Sequence, residues 1–308
     1  MSFLQRWSKP LIALIMAGAA VWLVYRLTEQ YDFAEVWQAV RAMPMQRLLT
    51  AGGFAALSYL CLTGFDAIGL HYAGKPLSHL RVALASFTTH AIGHTIGLAI
   101  LSSGAIRYRF YSRWGLNAEQ VAKVILCCGV TVGLGLTGLI SLSLLIKPDL
   151  AETIVGLSSA WVRVIGAVGL ALLVIYPLLA AKLRRPLKLW RWSFGFPTVK
   201  VAVAQVLLGP LNFACVAACL HQLLLAVVEI DYPSAAAAYG MANVAGLVSH
   251  VPGGMGVIEA VLVTILPGAK VLAAAVTFRA LYYLAPLPLG VLAFLLAEVF
   301  ASPKRSER

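Results

Sequence analysis

Long apolar runs separated by short polar segments dominate the chain. They predict helices at about 10–27, 48–70, 82–100, 118–146, 159–181, 201–225, 234–250, 256–266 and 270–300. Several of these reach the roughly 20 residues that a helix needs to cross a bilayer. The run at 256–266 is too short to span. The run at 82–100 is interrupted by His90, Gly93, His94, Thr95 and Gly97. The apolar–polar alternation of membrane β-strands is absent, which argues against a barrel. Phe33 to Val40 reads as a short amphipathic segment at the membrane interface.

One break in this pattern stands out. Pro252-Gly253-Gly254-Met255-Gly256-Val257-Ile258-Glu259 sets a proline, three glycines and a carboxylate inside apolar sequence. Lipid cannot hydrogen-bond a broken backbone, so irregular chain at membrane depth survives only under cover of protein or around a wet cavity. A carboxylate at that depth is costly and marks a functional site by default.

Composition agrees with the pattern. The chain is 61% hydrophobic and 12% charged, with mean hydropathy +0.87, more apolar surface than a soluble domain of this length can hide. Lys and Arg number 24 against 12 Asp and Glu. These cations flank the apolar runs, so they indicate topology and anionic lipid rather than nucleic acid. Cys61, Cys127, Cys128, Cys215 and Cys219 lie within apolar runs without Cys-x-x-Cys spacing and read as small core residues. The bulky Val21, Trp22 and Leu23 after Ala19-Ala20 favour an uncleaved first helix over a signal peptide.

Charge also sets the expected topology. The 182–200 loop carries Lys182, Arg184, Arg185, Lys188, Arg191 and Lys200 with no acid, whereas the 229–231 turn carries Glu229 and Asp231. The positive-inside rule then places both termini and the 182–200 loop in the cytoplasm. Arg107, Arg109 and Arg113 stay on that side only if the 82–100 run dips in and returns. The predicted fold is therefore an all-α polytopic membrane protein with six full spans and two re-entrant helical hairpins; eight full spans is the alternative. The chain forms a single transmembrane domain over 1–308. A weak echo suggests an inverted repeat with halves at about 48–146 and 201–300: Gly104-Ala105-Ile106-Arg107 resembles Gly256-Val257-Ile258-Glu259, and His90-Ala91-Ile92-Gly93 resembles Asn243-Val244-Ala245-Gly246. Such repeats place a binding site near the midplane.

The candidate chemistry sits at these interruptions. Glu259 falls in the first turn of a helix starting near Gly256, where the dipole favours an anion and the glycine N–H groups could approach a phosphate. Arg279, with Tyr282 and Tyr283 beside it, is the natural partner of Glu259 or of a lipid phosphate. Pro286 and Pro288 should bend this helix. The run from Arg107 to Trp114 interleaves cations with aromatics, as a headgroup zone does; Arg113 and Trp114 read as interfacial anchors, and Arg107 as a site residue through the echo with Glu259. Asp66 and Arg109 are further candidates. His90 and His94 share a helical face, but no third ligand completes a metal signature, so they read as a packed polar lining. No metal, cofactor or catalytic residue is expected. Phosphate-binding loops, dinucleotide fingerprints and serine elbows are absent.

Thr63-Gly64-Phe65-Asp66, the Gly104–Trp114 run, Ala242-Asn243-Val244-Ala245-Gly246, Pro252-Gly253-Gly254-x-Gly256-x-x-Glu259 and Arg279-x-x-Tyr282-Tyr283 together resemble the transmembrane region of bacterial lysylphosphatidylglycerol synthetases, the multiple peptide resistance factor family, and its shorter stand-alone relatives. The resemblance implies a flippase-like membrane portion in the inner membrane. Aminoacyl transfer belongs to a soluble domain for which Arg308 leaves no room, so it is not expected. The implied ligand is an anionic or aminoacylated phospholipid bound by Arg107, Glu259, Arg279, Tyr282, Asn243, Gly253, Gly254 and Gly256, with Asp66, His90, His94 and Arg109 as further candidates. Two rival readings are a non-transporting membrane subunit serving a separately encoded lipid-modifying enzyme, and an intramembrane lipid transferase with Glu259 as base. A homo-oligomer is compatible with all three, and no nucleic acid is expected.

Overall fold

The computed structural model describes residues 33–96, 99–149, 152, 156–183, 187–189, 192–266 and 268–300. The predicted first helix at 10–27, the C-terminal tail and Gly97 lie outside them, as do Arg184, Arg185 and Arg191. The chain runs through α1 (Phe33–Arg41), α2 (Met45–Tyr72), α3 (His79–Ile96), α4 (Ala99–Arg113), α5 (Ala118–Ile146) and α6 (Ser159–Lys182). A short hairpin, β1 (Leu187–Leu189) and β2 (Trp192–Phe194), precedes α7 (Val199–Leu224) and α8 (Tyr232–Ser249). A 3-10 turn at Pro252–Gly254 leads into α9 (Val257–Ile265), then α10 (Ala269–Arg279), a π-helical segment (Ala280–Leu284) and α11 (Pro286–Phe300).

Among the described residues, five segments are long and apolar enough to cross a membrane: α2, α5, α6, α7 and the continuous stretch Ala269–Val299. The protein is an all-helical polytopic membrane protein. Among the described residues the one departure from an all-α chain is the β1–β2 hairpin, where Leu187 pairs with Phe194 and Leu189 with Trp192. Its strands alternate apolar and polar residues for three positions each, too few for a period of two to be read from sequence.

The other helices are shorter. α4 has 15 residues and α9 has nine, so at 1.5 Å per residue they extend about 22 and 14 Å, short of the roughly 30 Å hydrocarbon core. Both belong to hairpins. In the first, a Cβ placed on Gly93 would lie 3.2 Å from that of Ser103, and at the mouth the Arg81 guanidinium lies 5.8 Å from the Trp114 ring centre. In the second, a Cβ on Gly246 would lie 3.6 Å from the Gly254 Cα.

The two mouths lie at opposite ends of α5. Its first turn follows Trp114 and is closed by a reciprocal cap: the Gln120 N–H donates to Asn117 at 2.9 Å, and the Asn117 N–H donates to the Gln120 side chain at 3.0 Å. At its other end Lys147 pairs with Asp231, which caps α8 through the Ser234 N–H. Lys147 and these Ser234 contacts hold the Asp231 carboxyl down at about 2. By the order and packing of the helices, Arg81, Arg113, Lys182 and Lys200 fall at the end of the bundle that carries the first mouth, and Asp149, Glu152, Glu229 and Asp231 at the other end.

α2 and α7 pack antiparallel through the middle. Arg47 donates to Gln222 at one end, Ser58 to Asn212 at the centre, and Tyr72 to the Gly195 carbonyl at the other, at 2.9, 2.7 and 2.6 Å. α5 meets α7 where Gly135 lies on Gly209, so close that a Cβ on Gly135 would stand 2.5 Å from the Gly209 oxygen. α6 flanks this bundle and turns Trp161, Val164, Val168, Leu172, Val174 and Leu178 outward. In a membrane protein that surface meets acyl chains.

Candidate functional site

Among the described residues two ion pairs lie in the interior, one at each hairpin, the first fully buried and the second partly so. On α4, Arg107 donates from Nε to Asp66 Oδ1 at 2.8 Å and from Nη2 to Oδ2 at 2.9 Å. Asp66 is wholly buried in α2, and Arg107 is 4% exposed. The Tyr111 hydroxyl adds a third donor to Asp66 at 2.6 Å. A charge is tolerated in such surroundings only when paired and hydrogen-bonded on every side, and this carboxylate meets that condition.

The second pair stands at the Pro-Gly-Gly break. Arg279 donates from Nε and Nη2 to the two oxygens of Glu259, the latter bond 3.1 Å long. Its remaining edge reaches the carbonyls of Gly253 and Gly254 at 3.0 and 3.2 Å. The glycines are required by the backbone: Gly253, Gly254 and Gly256 have φ of +60°, +57° and +76°, a region costly for other residues. The carbonyls of Gly253 and Gly254, rather than the N–H groups expected from sequence, face Arg279, so this cradle holds a guanidinium. Glu259 lies in the first turn of α9 as predicted.

Sequence reasoning brought Arg107 and Glu259 to one chamber. The structure instead pairs each with its own partner and joins the two pairs through side chains. His90 Nδ1 lies 2.8 Å from the Ser86 carbonyl and must donate to it, so Nε2, 3.3 Å from Arg107 Nη2, is the acceptor. The His94 ring follows, edge-on to His90 at 5.4 Å between centres. It stacks on Tyr282 at 6.0 Å and lies 5.9 Å from Tyr283 and 6.5 Å from Tyr59. Arg279 sits over the Tyr283 ring at 5.3 Å. Tyr282 also reaches the crossing of α2 and α7: Ser58 donates to Asn212, so Tyr282 donates to Ser58, at 2.8 Å.

The π segment puts these tyrosines in place. Pro286 has no N–H for the Tyr282 carbonyl. The Tyr59 hydroxyl takes over that role at 3.3 Å, and the helix slips to a bond from the Ala285 N–H to the Ala280 carbonyl at 2.8 Å. The bend predicted from Pro286 thus takes the form of a π turn.

Other candidates fall elsewhere. Asn243 is half-buried and donates to the Tyr239 hydroxyl at 3.0 Å, touching the centre only through Tyr239, Phe278 and Tyr282. Arg109 is 60% exposed and, with Arg113, grips Glu298, tying α4 to α11 away from the centre. An open pocket lies between α2, α5, α6 and α7, bounded by Tyr72, Tyr176, Phe196 and Gln205. Ser58, Tyr59 and Asn212 were missed, although an amide in the middle of an apolar run is itself a signal.

Opposed hairpins, interrupted helices and internal ion pairs define a membrane protein with a polar centre inside the bilayer region. The chain belongs to the family described as the lysylphosphatidylglycerol synthase TM region, whose sequence model matches residues 11–290. It is 30% identical to the uncharacterized protein slr0712 of Synechocystis over 83% of this chain and 81% of that one. It is 28% identical to the inner membrane protein YbhN of Escherichia coli, over 98% of this chain and 96% of that one.

Proposed function

We propose that this protein carries a phospholipid between the leaflets of a bacterial inner membrane, holding the headgroup at its polar centre while the acyl chains stay in lipid. The observation that carries the reading is Arg279: a partly buried arginine fork at a helix break, satisfied by one carboxylate and two glycine carbonyls. A lipid phosphate is the anion that competes with Glu259 for that fork, since both accept bidentate donation. The described arrangement, with each pair closed on itself, is then the resting form. Separation of the hairpin tips would open Arg279 and Arg107 to the headgroup.

Three further points support it. The family's name ties its transmembrane region to a lipid-modifying synthase. YbhN is described as an inner membrane protein. Opposed hairpins and the antiparallel α2–α7 pair fit an inverted repeat, an arrangement built for access from two sides in turn. The end bearing Arg81, Arg113, Lys182 and Lys200 then faces the cytoplasm.

The test is reconstitution into phosphatidylcholine vesicles with trace fluorescent phosphatidylglycerol, reading leaflet exchange by external quenching. Wild type should exceed protein-free vesicles. Arg279→Gln should lose about tenfold or more of the added rate, because hydrogen bonds to a charged group are each worth about 1.5–3 kcal/mol. Arg163→Gln, at the exposed start of α6, should exchange as wild type does. Exchange at the protein-free rate by a monodisperse wild-type preparation sinks the proposal. Lipid-dependent co-purification of a modifying enzyme would then favour a docking subunit.

A further inference from the structure

Among the described residues, three buried side-chain atoms lack a hydrogen-bond partner: the hydroxyls of Thr88 and Thr89 and Nδ1 of His94. All three lie on α3, the helix whose inner end meets the Pro-Gly-Gly turn. Leaving such an atom unsatisfied is costly.

His94 differs from His90 in a way that matters for proton chemistry. The Nε2 lone pair of His90 already faces Arg107, so His90 has no free site for a proton. Nδ1 of His94 is unengaged. Its ionisable and charged neighbours can be named from each packed element: Tyr59 and, beyond His90, Asp66 on α2; His90 on α3; Arg107 on α4; Tyr282 and Tyr283 on the π segment; and Arg279 across Tyr283 at the end of α10. The Pro252–Gly254 turn brings no ionisable side chain, and α11 brings only Glu298, held by Arg109 and Arg113. Arg107 is balanced by Asp66 and Arg279 by Glu259. An imidazolium at His94 would be the one uncompensated charge in the centre, flanked by aromatic faces that favour a cation.

We propose that His94 is a proton carrier and that the protein is a proton–lipid symporter, in which one proton and one anionic phosphodiester headgroup cross together. The inference rests on the lipid reading above. A headgroup displacing Glu259 from Arg279 brings a negative charge into low dielectric, and a proton on His94 cancels it. Each ligand strengthens binding of the other by the same factor. The proton leaves water on one side, converts the neutral His94 imidazole to imidazolium, and returns to water on the other side once the headgroup departs. No bond of the lipid is made or broken, and the transit is electroneutral.

The experiment uses the full-length protein in phosphatidylcholine vesicles with trace acyl-labelled phosphatidylglycerol and a pH difference of one unit, acid outside. Exchange is read within the time over which protein-free vesicles stay unchanged. One-to-one coupling predicts an inner-leaflet excess of about tenfold. Nigericin should collapse it, and a valinomycin-set potential should leave it unaltered. His94→Gln should bring the leaflets to near equality, and Tyr282→Phe, which keeps the ring, should hold the asymmetry better than His94→Gln. Wild-type protein that equalises the leaflets despite the pH difference overturns proton coupling and leaves lipid translocation standing. Wild-type protein that moves no lipid overturns both. The wild-type result decides the matter even if His94→Gln fails to fold.

Discussion

Single residues decide whether charge can live inside this protein. Asp66 is held by three donors from Arg107 and Tyr111, so removing its charge strands a guanidinium in the interior. Asp66→Asn is expected to destabilise by about 3–5 kcal/mol, as broken buried pairs do. The double variant Asp66→Asn, Arg107→Gln should lose clearly less than the sum of the two single changes. Denaturant unfolding in detergent measures this, and strictly additive losses would show that the pair is not coupled. Residue-level reading of the sequence found Asp66, Arg107, Glu259 and Arg279 because charges are rare in apolar runs. It also named Arg279 as the natural partner of Glu259, as found, but it did not match Asp66 to Arg107. Asp66 and Arg107 are 41 positions apart, and nothing local encodes that meeting.

At the level of elements, close helix contacts depend on the absence of a side chain. Gly135 of α5 has the Gly209 backbone where its Cβ would be, at 2.5 Å from the oxygen. Gly133, one half-turn earlier, has nothing within 4 Å. Gly135→Ala should therefore cost about 1–3 kcal/mol through overpacking, while Gly133→Ala should be neutral or gain up to about 1 kcal/mol from better helix propensity. Thermal unfolding of the two variants side by side distinguishes them, and equal shifts would contradict the packing. Apolar runs announced these helices with ends close to those found. The slip of the Ala280–Leu284 segment was legible only as a proline, since its form depends on the Tyr59 hydroxyl from another helix.

For the molecule as a whole, the two hairpin mouths face opposite sides. A membrane-impermeant maleimide should label Lys75→Cys and Ser112→Cys from the cytoplasmic face of inverted vesicles, and Glu229→Cys only from the other face of spheroplasts. The native cysteines are buried, so background labelling should be low. Labelling of Ser112→Cys and Glu229→Cys from the same side would refute the opposed hairpins. The expected orientation rests on charge asymmetry in the loops, because side preference is set by short basic segments near the ends of spans.

By itself the sequence determined that the chain enters a membrane, where most of its helices run and where the Pro-Gly-Gly break falls, although α4 over Ala99–Arg113 is not among the predicted helices. Those are matters of hydropathy, length and glycine stereochemistry, all local. Tertiary structure alone decided that Arg107 turns to Asp66, that Gly253 and Gly254 offer carbonyls to Arg279, and that His94 lies between the two pairs against Tyr282. Such partnerships follow from how helices distant in sequence are packed, and long-range packing leaves no period in a one-dimensional pattern.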